Sequence, residues 1–105
     1  MTPRFGAAIR QVAREIGQRY HPRKVILFGS YAYGEPEEGS DVDLLVVMDS
    51  EKRPSEIRYE MYCELQDFTA PIDIVVKGAK EVEAAMSGRD WFLRDVLTKG
   101  RLLHV

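Results

Sequence analysis

Apolar residues recur along this chain first at helical and then at strand spacing. Phe5, Ile9, Val12 and Ile16 stand four, three and four apart, which stacks them on one helix face. Thr2 can cap that helix and Pro3 suits its first position, so it is expected over residues 3–20. His21-Pro22 ends it, because the residue before a proline avoids the α region. Lys24–Phe28, KVILF, is short, apolar and rich in branched residues, the pattern of a buried strand. Gly29-Ser30 and a short helical turn, Tyr31 to Gly34, follow. Glu35 to Gly39 is a loop by its proline and glycine, and Asp41 to Met48 is a second strand. Pro54 opens a second long helix with Ile57, Met61, Leu65 and Phe68 on one face. Pro71 breaks the chain before a third strand, Ile72 to Val76. A short helix spans about Lys80 to Met86. Asp90 can cap another that runs to about Thr98, and Gly100 closes it in the manner of a left-handed terminal glycine. Arg101 to Val105 supplies a last short strand.

The element order is α-β-α-β-α-β-α-α-(β). It predicts an α/β or α+β two-layer arrangement, with helices packed on a small sheet. No repeat, low-complexity stretch or composition shift divides the chain, so residues 1–105 are expected to form a single domain. A chain this long buries somewhat over about 60% of its unfolded surface, enough for a core without staples.

Composition narrows the function classes. The formal net charge is −2 and acidic and basic residues are mixed, with no Lys/Arg block. A nucleic-acid binder usually carries a basic footprint, so the balance argues against long RNA or DNA as the substrate. The single cysteine, Cys63, cannot form an internal disulfide and reads as a small buried hydrophobe. That fits a reducing, intracellular compartment. No apolar run approaches the ~20 residues that span a bilayer. The N-terminus lacks the apolar stretch of a signal peptide. A cytoplasmic protein without membrane contact is expected.

The chemistry lies in residues 28–47, FGSYAYGEPEEGSDVDLLVV. Asp41 and Asp43 are two apart on an expected strand, so both side chains leave one face while Val42 points to the core. Aspartate disfavours strands and two like charges repel, so a compensating cation is called for. Mg²⁺ suits the role, since it takes one or two carboxylates and completes its shell with water and phosphate oxygens. Asp73, within PIDIVV, can lie beside the pair if the second and third strands are neighbours. Three such aspartates can hold two metal ions about 3.5–4 Å apart, one on a triphosphate and one on an attacking hydroxyl. Gly29 at a strand end lets a ligand approach the backbone. The helix start after it offers free N–H groups to phosphate, and Ser30 adds a hydroxyl. Gly34 and Gly39 permit the loop to Asp41, and Ser40 can cap or orient it.

Gly29-Ser30, ten residues, then Asp41-Val42-Asp43 resembles the Gly-Ser-x10-Asp-x-Asp signature of the DNA polymerase β-like nucleotidyltransferase superfamily. The short chain is similar to its minimal nucleotidyltransferase branch, and the resemblance runs from the first helix to the closing KGRLL segment. It implies a mixed sheet with helices on one side and two Mg²⁺ ions. Asp41, Asp43 and Asp73 would be the catalytic metal ligands, with Gly29 and Ser30 on the triphosphate. It also implies transfer of a nucleoside monophosphate, AMP from ATP, to an acceptor. Members of this branch act as antitoxins to a small helical ribonuclease of the HEPN type and adenylylate a tyrosine of that toxin. No separate substrate domain is visible.

Two other functions compete. One is a non-catalytic antitoxin that neutralises a toxin by complex formation; three clustered carboxylates argue against it. The other is nucleotidyl transfer to a small molecule or an RNA end, where the acidic pI of about 5.7 weighs against RNA. Both homo- and hetero-oligomers remain open. His21 and His104 lack ligand spacing. Tyr31 and Tyr33 flank the phosphate loop; one can stack on a base, and one buried with one exposed fits equally well. Trp91, Phe92 and Leu93 are apolar at a helix start and belong mostly to the core, with one of them open to a partner surface. Lys77 and Lys80 follow the third strand; they read as solvated lysines, with contact to phosphates as the alternative.

Overall fold

The computed structural model describes residues 3–34, 40–65, 71–88 and 90–104. Thr2, the 35–39 loop with Gly39, Phe68 and Val105 lie outside them, as do the side chains of Phe5 and Tyr33. The element order is α1 (Pro3–Tyr20), β1 (Lys24–Phe28), α2 (Ser30–Tyr33), β2 (Val42–Val47), α3 (Pro54–Glu64), β3 (Ile72–Lys77), α4 (Ala79–Ser87), α5 (Trp91–Lys99) and β4 (Arg101–His104). This is the order that the hydrophobic pattern predicts.

The strands form one mixed sheet in the order β3-β2-β1-β4. β1 runs antiparallel to both β2 and β4, whereas β2 and β3 are parallel. A parallel pair cannot be joined by a tight turn, and α3 supplies the crossover. β1 and β2 are buried nearly throughout. Strands of that kind have both faces covered, and this sheet does. On one face Val25, Leu27, Val42, Leu44, Val46, Ile74 and Val76 pack with Ile9, Val12, Ala13 and Ile16 of α1 and Ile57 and Met61 of α3. On the other, Ile26, Phe28, Leu45 and Val47 meet Ala85 of α4 and Leu93 and Val96 of α5. The α+β class and mixed sheet stand as expected. Helices on the second face are an addition to the one-sided layer that the resemblance implied. Each fully buried side chain among these contributes roughly 1.5–3 kcal/mol.

Helix ends follow local chemistry. His21 takes φ 48, a left-handed residue before Pro22, and its N–H reaches the Gly17 carbonyl at 3.1 Å. Asp90 caps α5 by accepting the Leu93 N–H at 3.0 Å. Asp49, just past β2, accepts from the Ala79 N–H and from Arg23 Nε, both at 3.0 Å, which ties the start of α4 to the sheet.

Three expectations need correction. Cys63 is exposed. The buried stripe of α3 is Ile57, Met61 and Leu65, and a residue two past Met61 is turned about 200° away from it. Gly100 ends α5 at φ −69, not in the left-handed region. It is glycine for space, because a Cβ there would meet Ile26 Cγ2 and the Val96 carbonyl, both at 2.5 Å. Of the Trp91-Phe92-Leu93 trio only Leu93 is in the core. The cap at Asp90 sets the phase of α5 so that Leu93 and Val96 face the sheet.

Candidate active site

The carboxylates gather at one end of the sheet. In the parallel ladder Asp43 is the register partner of Asp73, and in the antiparallel ladder Phe28 is the partner of Asp43. Opposed residues on neighbouring strands project from the same face. Phe28, Asp43 and Asp73 therefore form a row across β1, β2 and β3, on the face that α4 and α5 cover. Asp43 and Asp73 are half-buried, and Val42 between Asp41 and Asp43 is fully buried in the core, as the alternation requires. Asp41 stands one step before β2 and is exposed.

The row is electrostatically unbalanced at Asp43. Burial, and then the charges of Asp73 and Asp41, push its carboxyl up to about 6. Among the described residues no cation is paired with it. Asp73 differs, because α3 reaches round the open edge of β3 to meet it. Arg58 Nη2 lies 3.3 Å from Asp73 Oδ1, and the Tyr62 hydroxyl donates to the same oxygen at 3.3 Å. The same two side chains satisfy the outward backbone of the edge strand. Arg58 Nε donates to the Ile74 carbonyl at 2.7 Å, and the Tyr62 hydroxyl accepts from the Ile74 N–H at 2.8 Å. The guanidinium also sits 5.1 Å from the Tyr62 ring centroid. The ion pair is half-exposed and contributes at most about 1 kcal/mol. Its larger effects are to orient Asp73 and to close the edge. The sequence reading missed Arg58 and Tyr62. Their spacing of four on a helix was visible, but nothing in the sequence linked them to Asp73, fifteen and eleven residues away.

Gly29 lies against this row. It adopts φ 75 and ψ −158, a region reserved for glycine, and a Cβ there would run into Asp43 Oδ2. Its carbonyl accepts the Ala32 N–H at 3.0 Å, which starts the short turn that carries Ser30. Glycine at position 29 thus brings backbone and carboxylate into direct contact. Tyr31 of that turn is buried in the core. Lys77 pairs with Glu81 at 3.6 Å and Lys80 is exposed, in keeping with solvated lysines.

The row suits a divalent cation in chemistry. Two neighbouring carboxylates, one of them without a paired cation among the described residues, suit Mg²⁺ when phosphate and water complete its shell. Among the described residues, no three His, Cys, Asp or Glu side chains are gathered closely enough to hold an ion by themselves. Substrate oxygens would have to supply the remaining ligands.

The raised Asp43 carboxyl has a consequence for stability in the absence of metal. Its folded value, about 6, lies above the ordinary 3.8, so the native state holds this proton more tightly than the unfolded chain does. Stability from this group is present below the ordinary value and is lost as pH rises through about 6. In a chelator, Asp43→Asn should therefore melt higher than wild type at pH 7. The difference should close as pH falls towards 4. Melting curves across that range check it, and a gap that widens on acidification would contradict the assignment.

Comparison with known proteins agrees with this geometry. The family model described as nucleotidyltransferase domain matches residues 9–104. A Methanocaldococcus jannaschii protein provisionally named a protein adenylyltransferase is 31% identical over 102 residues, covering 92% of this chain and 95% of its own. Protein adenylyltransferase MntA of Thermococcus cleftensis is 35% identical over 71 residues, covering 63% of this chain and 67% of its own. Among solved structures, a nucleotidyltransferase-type protein of Sulfolobus solfataricus superposes with a TM-score of 0.61 at 19% identity, covering 94% of this chain and 78% of that one. A chain of a mutant toxin–antitoxin MntA–HpeT structure superposes with a TM-score of 0.61 at 18% identity, covering 93% and 71%. At those identities the two structures speak for the fold. The match over nearly the whole length, on a sheet that lines up Asp43 with Asp73 beside Gly29, makes this chain a member of the nucleotidyltransferase family, an enzyme whose relatives are named protein adenylyltransferases.

Proposed function

We propose that this chain transfers AMP from ATP to a tyrosine of a HEPN-type ribonuclease toxin, and so acts as its antitoxin in the cytoplasm. The observation that carries the reading is the Asp43–Asp73 register pair with Gly29 pressed against it. A bare binding module has no use for two aligned carboxylates, one of which burial and then the neighbouring charges push up to about 6. The relatives named protein adenylyltransferase supply the reaction class, and the toxin–antitoxin structural neighbour supports a toxin as acceptor.

In this reading Asp41, Asp43 and Asp73, with substrate oxygens, would hold two Mg²⁺ ions, which would supply charge to stabilise the attacking and leaving oxygens. The chain's own residues do the rest. Gly29, with no Cβ, lets the triphosphate approach the backbone, and the Ser30 hydroxyl adds a donor. Arg58 and Tyr62 keep Asp73 aimed at the site. The acceptor hydroxyl oxygen bonds to the α-phosphorus as it gives up its proton to solvent water. The bond from that phosphorus to the bridging oxygen breaks, and pyrophosphate leaves. Positioning and electrostatics, rather than covalent catalysis, carry such a transfer.

The experiment is intact-mass measurement of a candidate helical toxin after incubation with this protein, ATP and Mg²⁺. One added AMP on a tyrosine is expected. Tight binding with no modification under any nucleotide would replace the reading with the non-catalytic antitoxin. Transfer to a small molecule in place of the protein would leave the chemistry and change the acceptor. Millimolar ATP with Mg²⁺ should also raise the melting temperature by mass action, and Ser30→Ala should reduce that rise modestly, because one hydrogen bond is lost.

A further inference from the structure

Helix α5 begins over the end of β1 that leads into Gly29. Its other end comes back to Ile26 and Leu27, where Gly100 packs. Its first two residues stay out of the core: Trp91 is 76% exposed and Phe92 48%. Phe92 is nevertheless anchored. Its ring stands edge-on to Phe28, with centroids 5.5 Å apart and planes at 83°. Phe28 is the register partner of Asp43 and the residue before Gly29. An aromatic row therefore runs from the surface, through Phe92 and Phe28, to the carboxylates. Beside it, the Arg94 guanidinium sits 5.8 Å from the Trp91 ring centroid.

We infer that Trp91 and Phe92 form the nucleobase subsite of the transfer site. This rests on the nucleoside triphosphate reading above. With the phosphates at Gly29 and the carboxylates, the sugar and base must leave the row along the sheet's end. Towards β3, the polar cluster of Arg58, Tyr62 and Asp73 suits charged groups. Towards α5, the exposed rings of Trp91 and Phe92 suit a neutral ring. Every base has a π face, so stacking there adds affinity without selecting the base. The Arg94 guanidinium lies over one face of the indole and holds the ring in place by a cation–π contact.

The test uses the chain's only tryptophan as its own reporter. Emission of Trp91 is followed while the protein is titrated with ATP and Mg²⁺, and separately with inorganic tripolyphosphate and Mg²⁺. Calorimetry measures both affinities. ATP should quench the emission, and tripolyphosphate should bind with little change. Trp91→Leu and Phe92→Leu keep an apolar side chain but lose the ring. Each should weaken ATP roughly tenfold, within the range for loss of one stacking partner, and leave tripolyphosphate untouched. Both positions are exposed, so melting temperatures near wild type are expected and will verify folding. ATP affinity unchanged in both variants, with no quenching in wild type, overturns the subsite while leaving the donor reading intact. Failure of wild type to bind either ligand overturns the donor reading and the subsite with it. Loss of toxin binding in the variants with ATP affinity unchanged would instead assign the two rings to the protein acceptor.

Discussion

Asp43→Asn should slow transfer by at least about 10²-fold while leaving the fold intact. Asn keeps the shape and removes the charge. Asp43 is the carboxylate at the centre of the row, with Phe28 on one side, Asp73 on the other and Gly29 against it. Charge at that position is costly in the resting protein, as its carboxyl at about 6 shows. The same cost is what makes it an effective partner for a cation and for the charge that develops on the reacting oxygens. Nothing else in the row replaces it, because Asp73 is already engaged by Arg58 and Tyr62. The check is the rate of AMP addition to the toxin by intact mass, with circular dichroism to verify the fold. Labelling at the wild-type rate by Asp43→Asn would remove the carboxylate from the mechanism.

Gly29→Ala should affect stability and activity together. Residue 29 has φ 75 and ψ −158, where a Cβ costs about 1–3 kcal/mol of backbone strain. For a domain of this size that corresponds to a fall in melting temperature of roughly 5–15 °C. The new methyl would also collide with Asp43 Oδ2 and turn the carboxylate out of its place. A misplacement on that scale costs on the order of 10²-fold in rate. The two effects separate in a double-mutant cycle. The strain should remain when Asp43 is also replaced by Ala, whereas the clash should vanish, so the stability losses should be less than additive. A Gly29→Ala protein that melts and labels like wild type would mean that the backbone at 29 relaxes freely. The close approach would then have no role.

Much of the site was legible because its residues are close in sequence. Gly29, Ser30, Asp41 and Asp43 all fall within fifteen residues, and alternation along a strand is enough to put Asp43 on the face opposite Val42. The elements were legible for the same reason. Periods of two and 3.6, proline and glycine punctuation, and the Asp90 cap are all local signals. Phase errors marked the limit. Residue type puts Cys63 and most of the Trp91-Phe92-Leu93 trio in the core, with one of the three left for a surface, yet the phase of α3 and α5 turns Cys63 and both Trp91 and Phe92 outward. Gly100 was assigned to a left-handed cap, yet what it answers is the close approach of Ile26.

The amino-acid order by itself determined the string of helices and strands and the described buried positions of α1 and α3. Only the tertiary structure decided what depends on which strands become neighbours. The parallel pairing of β2 and β3 set Asp73 beside Asp43, and the edge position of β3 drew Arg58 and Tyr62 onto it. The antiparallel pairing of β1 placed Phe28, and through it Phe92, at the same end. Local patterns carry the direction of each side chain relative to its own backbone. Register between strands that are distant in sequence is set by how the whole core packs, and no local pattern contains it.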